Sequence, residues 1–200
     1  ASALARLAGL HFQRIQFTND MLASDVIGIN IFNQKEHLFE FKKGPIFTQI
    51  LLADEINRCS PKTQSALLEA MEEGAVTVDG VHYELPQPFW VLATQNPLFQ
   101  SGTYALPESQ LDRFLMRLSL GYPSRQAEKL LLQQSSRQVL IHQLEAVFTQ
   151  VDILQLRELA KQVFLSDAVL NYILDLAAET RKQRHGLSTR GVLALKAAAQ

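Results

Sequence analysis

The stretch ILLADEINRCSPKTQSALLEAMEE, at residues 50–73, decides the fold. Its opening run is apolar and stops at the acidic pair Asp54 and Glu55, a pattern typical of a buried parallel strand that ends at a polar edge. Ser60 and Pro61 then supply a helix N-cap and a first helical residue. The helix should end at Gly74, where glycine can terminate it. A buried strand followed by a helix indicates an α/β fold.

Similar patterns recur along the chain. Strands are predicted at residues 13–17 (QRIQF) and 89–93 (FWVLA), and a third candidate lies at residues 114–120. Hairpins are predicted at residues 27–41 and 76–85, the second around Asp79-Gly80, a dipeptide that prefers a type I′ turn. From residue 124 onward only helical periodicity remains. We therefore expect an α/β core at residues 1–122 and a small all-helical domain at residues 123–200.

Composition narrows the functional classes. Two hundred residues, 47% hydrophobic and 20% charged, suit one α/β domain with a small appendage and exclude collagen and disordered chains. The net charge of −1 gives the chain no overall electrostatic attraction to nucleic acid or to an anionic membrane, so net charge does not favour either as a partner. A single cysteine, Cys59, excludes an intramolecular disulfide and a cysteine metal cluster. No apolar run is long enough to span a bilayer. We expect a cytoplasmic protein without membrane insertion.

The first candidates for chemistry follow the predicted strands, because ligands of open α/β sheets bind outside the carboxyl ends of the strands. Asp54, Glu55 and Asn96 lie there. An apolar strand ending in Asp-Glu is the Walker B arrangement, in which the aspartate can hold Mg²⁺ and the glutamate can polarise an attacking water. The acidic pair alone is equally compatible with a solvated strand end, and Asn96 before a proline also suits a turn.

Longer motifs carry a resemblance to a known family. Residues 50–73, VLATQNP at residues 91–97 and GTYALPESQLDRFLMR at residues 102–117 closely resemble the MoxR family of AAA+ ATPases. RIQFTNDMLASDVIG at residues 14–28 and LSTRG at residues 187–191 are similar to that family in the same order. The resemblance covers nearly the whole chain. It implies an AAA+ type P-loop NTPase core, with a parallel sheet and two β-hairpin inserts, followed by a small all-α lid.

The resemblance also implies site residues. Asp54 would serve Mg²⁺, Glu55 would activate water, and Asn96, the family's sensor 1, would orient that water near the γ-phosphate of ATP. Arg113 looks like the arginine finger, supplied in trans to the neighbouring subunit, because a guanidinium stays charged and fits phosphate oxygens. Arg190 matches sensor 2, within its own subunit or across the interface.

Each arginine also has a simpler interpretation. Arg113 could form a surface salt bridge with Asp112 or Glu108, since many surface arginines do no more than that. Arg190 could be a solvated residue in the first turn of a helix.

The phosphate-binding loop of the family, GxxxxGK[ST], is absent from the sequence, because none of the nine glycines precedes a lysine. The helical pattern at residues 1–10 has no initiating turn, and the one at residues 192–200 has no stop signal. We therefore expect a chain truncated at both ends, whose P-loop and first strand lie outside it. These 200 residues alone should be inactive.

The resemblance implies Mg-dependent ATP hydrolysis that drives chaperone-like assembly or activation of other proteins. It further implies a ring homo-oligomer, hexameric in the family, a partner with a von Willebrand factor A domain, and a client such as a metalloenzyme complex. The alternative is a nonhydrolysing AAA+-like assembly subunit that truly lacks a P-loop. A DNA-working AAA+ motor shares the two hairpins but has little support in a neutral chain.

Overall fold

Three parallel strands form the centre of the part of the fold that the structure describes. The computed structural model describes residues 1–95, 103–133, 141, 143–182 and 186–200. Strands β1 (Phe12–Gln16), β4 (Ile50–Asp54) and β7 (Trp90–Ala93) form one sheet in the order β1-β4-β7. Both pairings are parallel, as the apolar patterns predicted. β4 begins only at Ile50, because residues 45–49 form turns that precede the ladder.

The central strand is continuously apolar because it is covered on both faces. Ile50, Leu51 and Ala53 of β4 are fully buried. In a parallel sheet that is covered on both faces, side chains on either face of a central strand are buried. Apolar residues at successive positions of that strand therefore all stabilise the fold. Asp54 is partly exposed, as is Leu52, and it lies at the carboxyl end of the strand.

Helix α3 (Pro61–Glu73) begins and ends where the sequence predicted, and it packs against the sheet. The Ser60 hydroxyl accepts a hydrogen bond from the Thr63 N–H at 3.3 Å, which caps the amino end. Gly74 ends the helix with a φ of 66°, a left-handed conformation that glycine adopts without a Cβ clash. The buried face includes Leu67 and Leu68, which belong to the main core together with residues of β4. The helix is therefore fixed to the strand that carries the acidic pair.

Two hairpins project from this core, also as predicted. The first pairs β2 (Gly28–Asn33) with β3 (Leu38–Lys43), and the second pairs β5 (Ala75–Val78) with β6 (Val81–Glu84). Asp79 and Gly80 both have positive φ, which a type I′ turn requires. The hairpins contact each other, since the Asn30 amide donates to the Asp79 carboxylate at 2.6 Å.

The remaining α-helices among the described residues are α1 (Ser2–Leu7), α2 (Ala23–Ile27), α4 (Glu108–Leu111), α5 (Arg125–Gln133), α6 (Gln150–Lys161), α7 (Asp167–Arg181) and α8 (Thr189–Ala199). Hydroxyl side chains of Thr149, Ser166 and Ser188 cap α6, α7 and α8. Every element that the structure describes beyond residue 124 is helical, and the domain boundary near residue 122 stays a prediction. A bilayer-spanning helix is not found in the part of the chain that is described.

The strand predicted at residues 114–120 was wrong. This segment is fully described and has no strand. Leu115, Leu118 and Leu120 are 56%, 75% and 94% exposed. Apolar residues favour a strand only where a neighbouring strand supplies ladder hydrogen bonds and a surface to pack on, and this segment joins neither β1 nor β7.

The later helices are attached to the core by specific hydrogen bonds. The backbone N–H groups of Val147 and Phe148 both donate to the carbonyl of Leu7, at 2.8 and 3.1 Å. The Gln150 amide of α6 donates to the carbonyl of Gln87 at 2.6 Å, and Arg157 donates to the Gln87 side chain at 3.3 Å. Further along, Arg190 of α8 forms an ion pair with Glu72 of α3.

Candidate functional site

The carboxyl ends of the three parallel strands bring polar side chains together. Asp54 ends β4 and Glu55 follows it, Gln16 ends β1 directly opposite Asp54, and Thr94 follows β7. Because the strands are parallel, all three ends lie at one edge of the sheet. The structure thus places Asp54 and Glu55 at the edge where the sequence predicted a ligand site.

The Asp54 carboxylate accepts hydrogen bonds from both neighbouring strands. The Thr94 hydroxyl donates to Oδ1 at 2.5 Å, and Arg14 donates to Oδ2 through Nη2 at 2.5 Å and Nε at 3.1 Å. The hydrogen bond from Thr94, followed by those from Arg14, lowers the pKa of Asp54 below its usual value. Asp54 is therefore held as a carboxylate, with 22% of its side chain exposed.

Glu55 has an uncommon backbone conformation. Its φ of 56° and ψ of 48° lie in the left-handed region, which costs a non-glycine residue roughly 1–2 kcal/mol. Thr94 holds this turn from both sides: its hydroxyl accepts from the Glu55 N–H at 2.9 Å, and its carbonyl accepts from the Ile56 N–H at 3.0 Å. Strained backbone that its surroundings hold in place is common at functional sites.

Donors from β1 and from the turn after β4 orient the Glu55 carboxylate. Its Oε2 accepts from the Gln16 amide at 3.1 Å and from Arg58 Nη1 at 3.0 Å. Gln16 in turn accepts from Arg14 at 2.8 Å, so the groups around Asp54 and Glu55 form one connected network. The network fixes both carboxylates at the sheet edge, with 25% of the Glu55 side chain exposed to an incoming ligand.

The Asp54 carboxylate has the chemistry required of a magnesium ligand. Mg²⁺ prefers hard oxygen donors and usually takes one or two carboxylates, completing its shell with water and substrate phosphate. Within the described ranges there is no cluster of three or more His, Cys, Asp or Glu side chains that could hold a metal by themselves. A cation at Asp54 would displace Arg14, whose side chain is 56% exposed, and an ion pair with so exposed a partner is weak.

Arg113 and Arg190 meet at a different place. Arg113 Nη1 lies 3.1 Å from Glu72 Oε2, and Arg190 Nη2 donates to Glu72 Oε1. Glu72 lies eleven residues beyond Pro61 in α3, or roughly 16 Å along the helix axis. The helix starts next to the carboxyl end of β4 and must return toward the amino end of β7. The two arginines are therefore together, toward the end of α3 remote from its start. The prediction for Asn96 lies outside the described residues.

The sequence prediction missed four residues of the network: Arg14, Gln16, Arg58 and Thr94. Arg14 and Gln16 are two apart in a strand with alternating pattern, which places both on one face. Thr94 directly follows an apolar strand, as Asp54 does at the end of its own. These signals are visible in the sequence. The hydrogen-bond partners of the residues are not, because they depend on how β1 and β7 pair with β4.

Thr94 offers a test of the network. Thr94→Val keeps the shape of the side chain and removes both its hydrogen bonds, so we expect a loss of about 1 kcal/mol in the free energy of unfolding at pH 7. The pKa of Asp54 should rise. Because the native pKa is lowered, the stabilisation is present above the unfolded pKa, near 4, and is lost as pH falls through the native pKa.

Urea unfolding at several pH values and carboxyl NMR titration measure these changes. Thr77→Val, on the exposed side of β5, is the matched control and should leave both quantities unchanged. Equal stability of Thr94→Val and Thr77→Val at pH 7 would show that Thr94 does not stabilise the edge.

Comparisons with known proteins show the family to which the chain belongs. Residues 1–116 match the ATPase family associated with various cellular activities (AAA). The chain is 42% identical to Chaperone MoxR1 of Mycobacterium tuberculosis over 178 residues, 89% of this chain and 47% of that protein. The chain belongs to the MoxR-like family of AAA+ ATPases. It is also 50% identical to the uncharacterized protein YeaC of Bacillus subtilis over 201 residues, 99% of this chain and 63% of YeaC.

A solved structure supports the same family. The MoxR-like chain aligns with a crystal structure of a candidate ATPase from Cytophaga hutchinsonii with a TM-score of 0.87 and 41% identity, covering 98% of this chain and 63% of that one. This confirms the predicted AAA+ α/β fold. The chain spans about half to two thirds of the length of these relatives.

Proposed function

We propose that the intact protein binds ATP and hydrolyses it with Mg²⁺, and that hydrolysis drives chaperone-like assembly or activation of other proteins. The observation that carries this proposal is the edge of the sheet where Asp54 and Glu55 are held by donors from both neighbouring strands. Phosphoryl transfer depends mainly on positioning and charge stabilisation. A rigid pair of carboxylates at the carboxyl ends of parallel strands suits that requirement.

Within this proposal each residue has a distinct task. Asp54 holds Mg²⁺, which neutralises phosphate charge when bound. Glu55 accepts a hydrogen bond, and then the proton, from the attacking water at its carboxylate. Gln16 and Thr94 act as positioning residues, because one holds the Glu55 carboxylate and the other its backbone. Asn96, three residues beyond the end of β7, orients the water.

Arg113 and Arg190 act on the nucleotide of a neighbouring subunit. Both lie at Glu72, well along α3 from the end that begins beside the Asp54 edge. Because Arg113 and Arg190 lie away from the Asp54 edge of their own subunit, we infer that their guanidinium groups contact a phosphate bound to the adjacent subunit. The proposal therefore includes a ring homo-oligomer, a hexamer by the family resemblance, in which each subunit completes the next site.

The proposed biological setting rests on the resemblance to the family. The relative named Chaperone MoxR1 supports a chaperone-like role. A partner with a von Willebrand factor A domain, a metalloenzyme client and a cytoplasmic location are part of the proposal by resemblance to MoxR proteins.

The proposal is tested by phosphate release from ATP by the intact protein over a range of Mg²⁺ concentrations. Asp54→Asn should raise the Mg²⁺ concentration for half-maximal turnover by about tenfold or more, because a neutral amide oxygen is a weaker magnesium ligand than a carboxylate. Asp175→Asn, at an exposed position in the middle of α7, makes the same charge change and should behave as the wild type. Absence of Mg-dependent release from the wild-type protein would favour the nonhydrolysing assembly subunit instead.

A further inference from the structure

Two cationic side chains from distant parts of the chain meet at one carboxylate. Glu72 is carried by α3, Arg113 lies just beyond α4, and Arg190 lies in the first turn of α8. Each guanidinium contacts a different oxygen of Glu72: Arg113 Nη1 lies 3.1 Å from Oε2, and Arg190 Nη2 donates to Oε1. The Glu72 carboxylate therefore joins α3 to the segment after α4 through Arg113, and to α8 through Arg190.

Stability alone is a weak explanation for this arrangement. The side chains of Arg113, Glu72 and Arg190 are 29%, 41% and 46% exposed, and ion pairs so accessible to water contribute little to folding. Arg190 also lies at a helix N-terminus, where the positive end of the helix dipole disfavours a cation. Two adjacent guanidinium groups repel each other unless an anion lies between them. What Glu72 does provide is a fixed separation between the two arginines.

We propose that Glu72 is a positioning residue that holds Arg113 and Arg190 side by side, so that they act as one cationic pair on one phosphate group. The inference rests on the proposed ATPase function, and it identifies Glu72 as the residue that positions the two arginines. A guanidinium has five N–H donors in a planar fork. Each arginine commits one nitrogen to Glu72 in these ion pairs, so further donors of the same groups can serve an anion that approaches them.

The arrangement has a measurable consequence for the two arginines. Groups that act as a unit give strongly non-additive effects, because removing one disables the other. Arg113→Ala and Arg190→Ala should each lower kcat, and the double substitution should lower it little further than the more severe single one. Without Glu72 the two arginines are independent, and their effects should multiply.

The first experiment compares kcat and KM for ATP in the intact protein carrying Glu72→Gln, Glu72→Asp or Glu73→Gln. Glu72→Gln should lower kcat by about 10- to 100-fold, because small misplacements of transition-state groups cost this much. KM should change less than about threefold, since the nucleotide is held by other residues. Glu72→Asp keeps the charge and should recover part of kcat. Glu73→Gln, on the same helix and exposed, should match the wild type.

A second measurement separates positioning from folding. Hydrogen exchange of α8 should be faster in Glu72→Gln than in Glu73→Gln, with the exchange of β4 unchanged in both. A kcat for Glu72→Gln equal to that of Glu73→Gln would overturn the inference, and so would multiplicative effects of Arg113→Ala and Arg190→Ala in the presence of Glu72. Global loss of protection in Glu72→Gln, without rescue by Glu72→Asp, would overturn it in favour of a purely structural role. Absence of turnover in the wild type would instead contradict the proposed function itself.

Discussion

Glu55→Gln should lower ATP turnover of the intact protein by about 10²- to 10⁴-fold, the usual contribution of a positioned general base. Glutamine keeps the length of the side chain and retains an oxygen that can accept from Gln16 and Arg58, which donate to Glu55 in the wild type. An amide cannot take a proton from water at neutral pH. The site should therefore keep its shape and lose its base.

ATP binding should survive this substitution. Phosphate release measures turnover, and isothermal titration calorimetry with Mg-ATP measures affinity, which should stay within about threefold of the wild type because Asp54 is unchanged. Glu69→Gln, on the exposed face of α3, is the control for loss of one negative charge. Wild-type turnover in Glu55→Gln would assign the base elsewhere, whereas lost affinity would make Glu55 a binding residue.

Local signals were sufficient to predict most of the fold. Ser60-Pro61 and Gly74 define α3 because caps and helix stops depend on a few neighbouring residues. Asp79-Gly80 defines the second hairpin for the same reason, since the turn needs two positive φ values. The strand predicted at residues 114–120 failed because β-structure also requires a partner, and an apolar run carries no information about where that partner lies.

In the candidate site, too, local features could be predicted from the sequence, whereas contacts between distant residues could not. Asp54 and Glu55 could be predicted because an apolar strand that ends in two acids is visible in the sequence. Their hydrogen-bond partners could not, because Gln16 faces Asp54 only through the parallel register of β1 and β4. The contacts of Glu72 are still harder to predict from the sequence, because Glu72 lies forty-one residues before Arg113 and 118 residues before Arg190. No local pattern distinguishes it from Glu69 or Glu73 on the same helix.

Arg113→Ala should lower turnover by about 10³- to 10⁵-fold, the range for an arginine that stabilises the charge of phosphoryl transfer. Its side chain is 29% exposed and lies on Glu72 instead of the Asp54 edge, so its proposed target is the nucleotide of the adjacent subunit. Affinity for Mg-ATP in that neighbour should change little, because the arginine acts mainly on the transition state. Arg117→Ala, on the same segment, is the control for loss of one positive charge.

Mixing two inactive variants tests action across the interface. Glu55→Gln subunits lack the base but carry Arg113, and Arg113→Ala subunits carry the base but lack the arginine. In a ring mixed at random in equal amounts, about a quarter of the interfaces join an intact Glu55 to an intact Arg113, so turnover should reappear on mixing. If Arg113 acted within its own subunit, no site in the mixed ring would contain both groups. Mixtures as inactive as their components, once subunit exchange is verified by mass spectrometry, would therefore contradict action in trans.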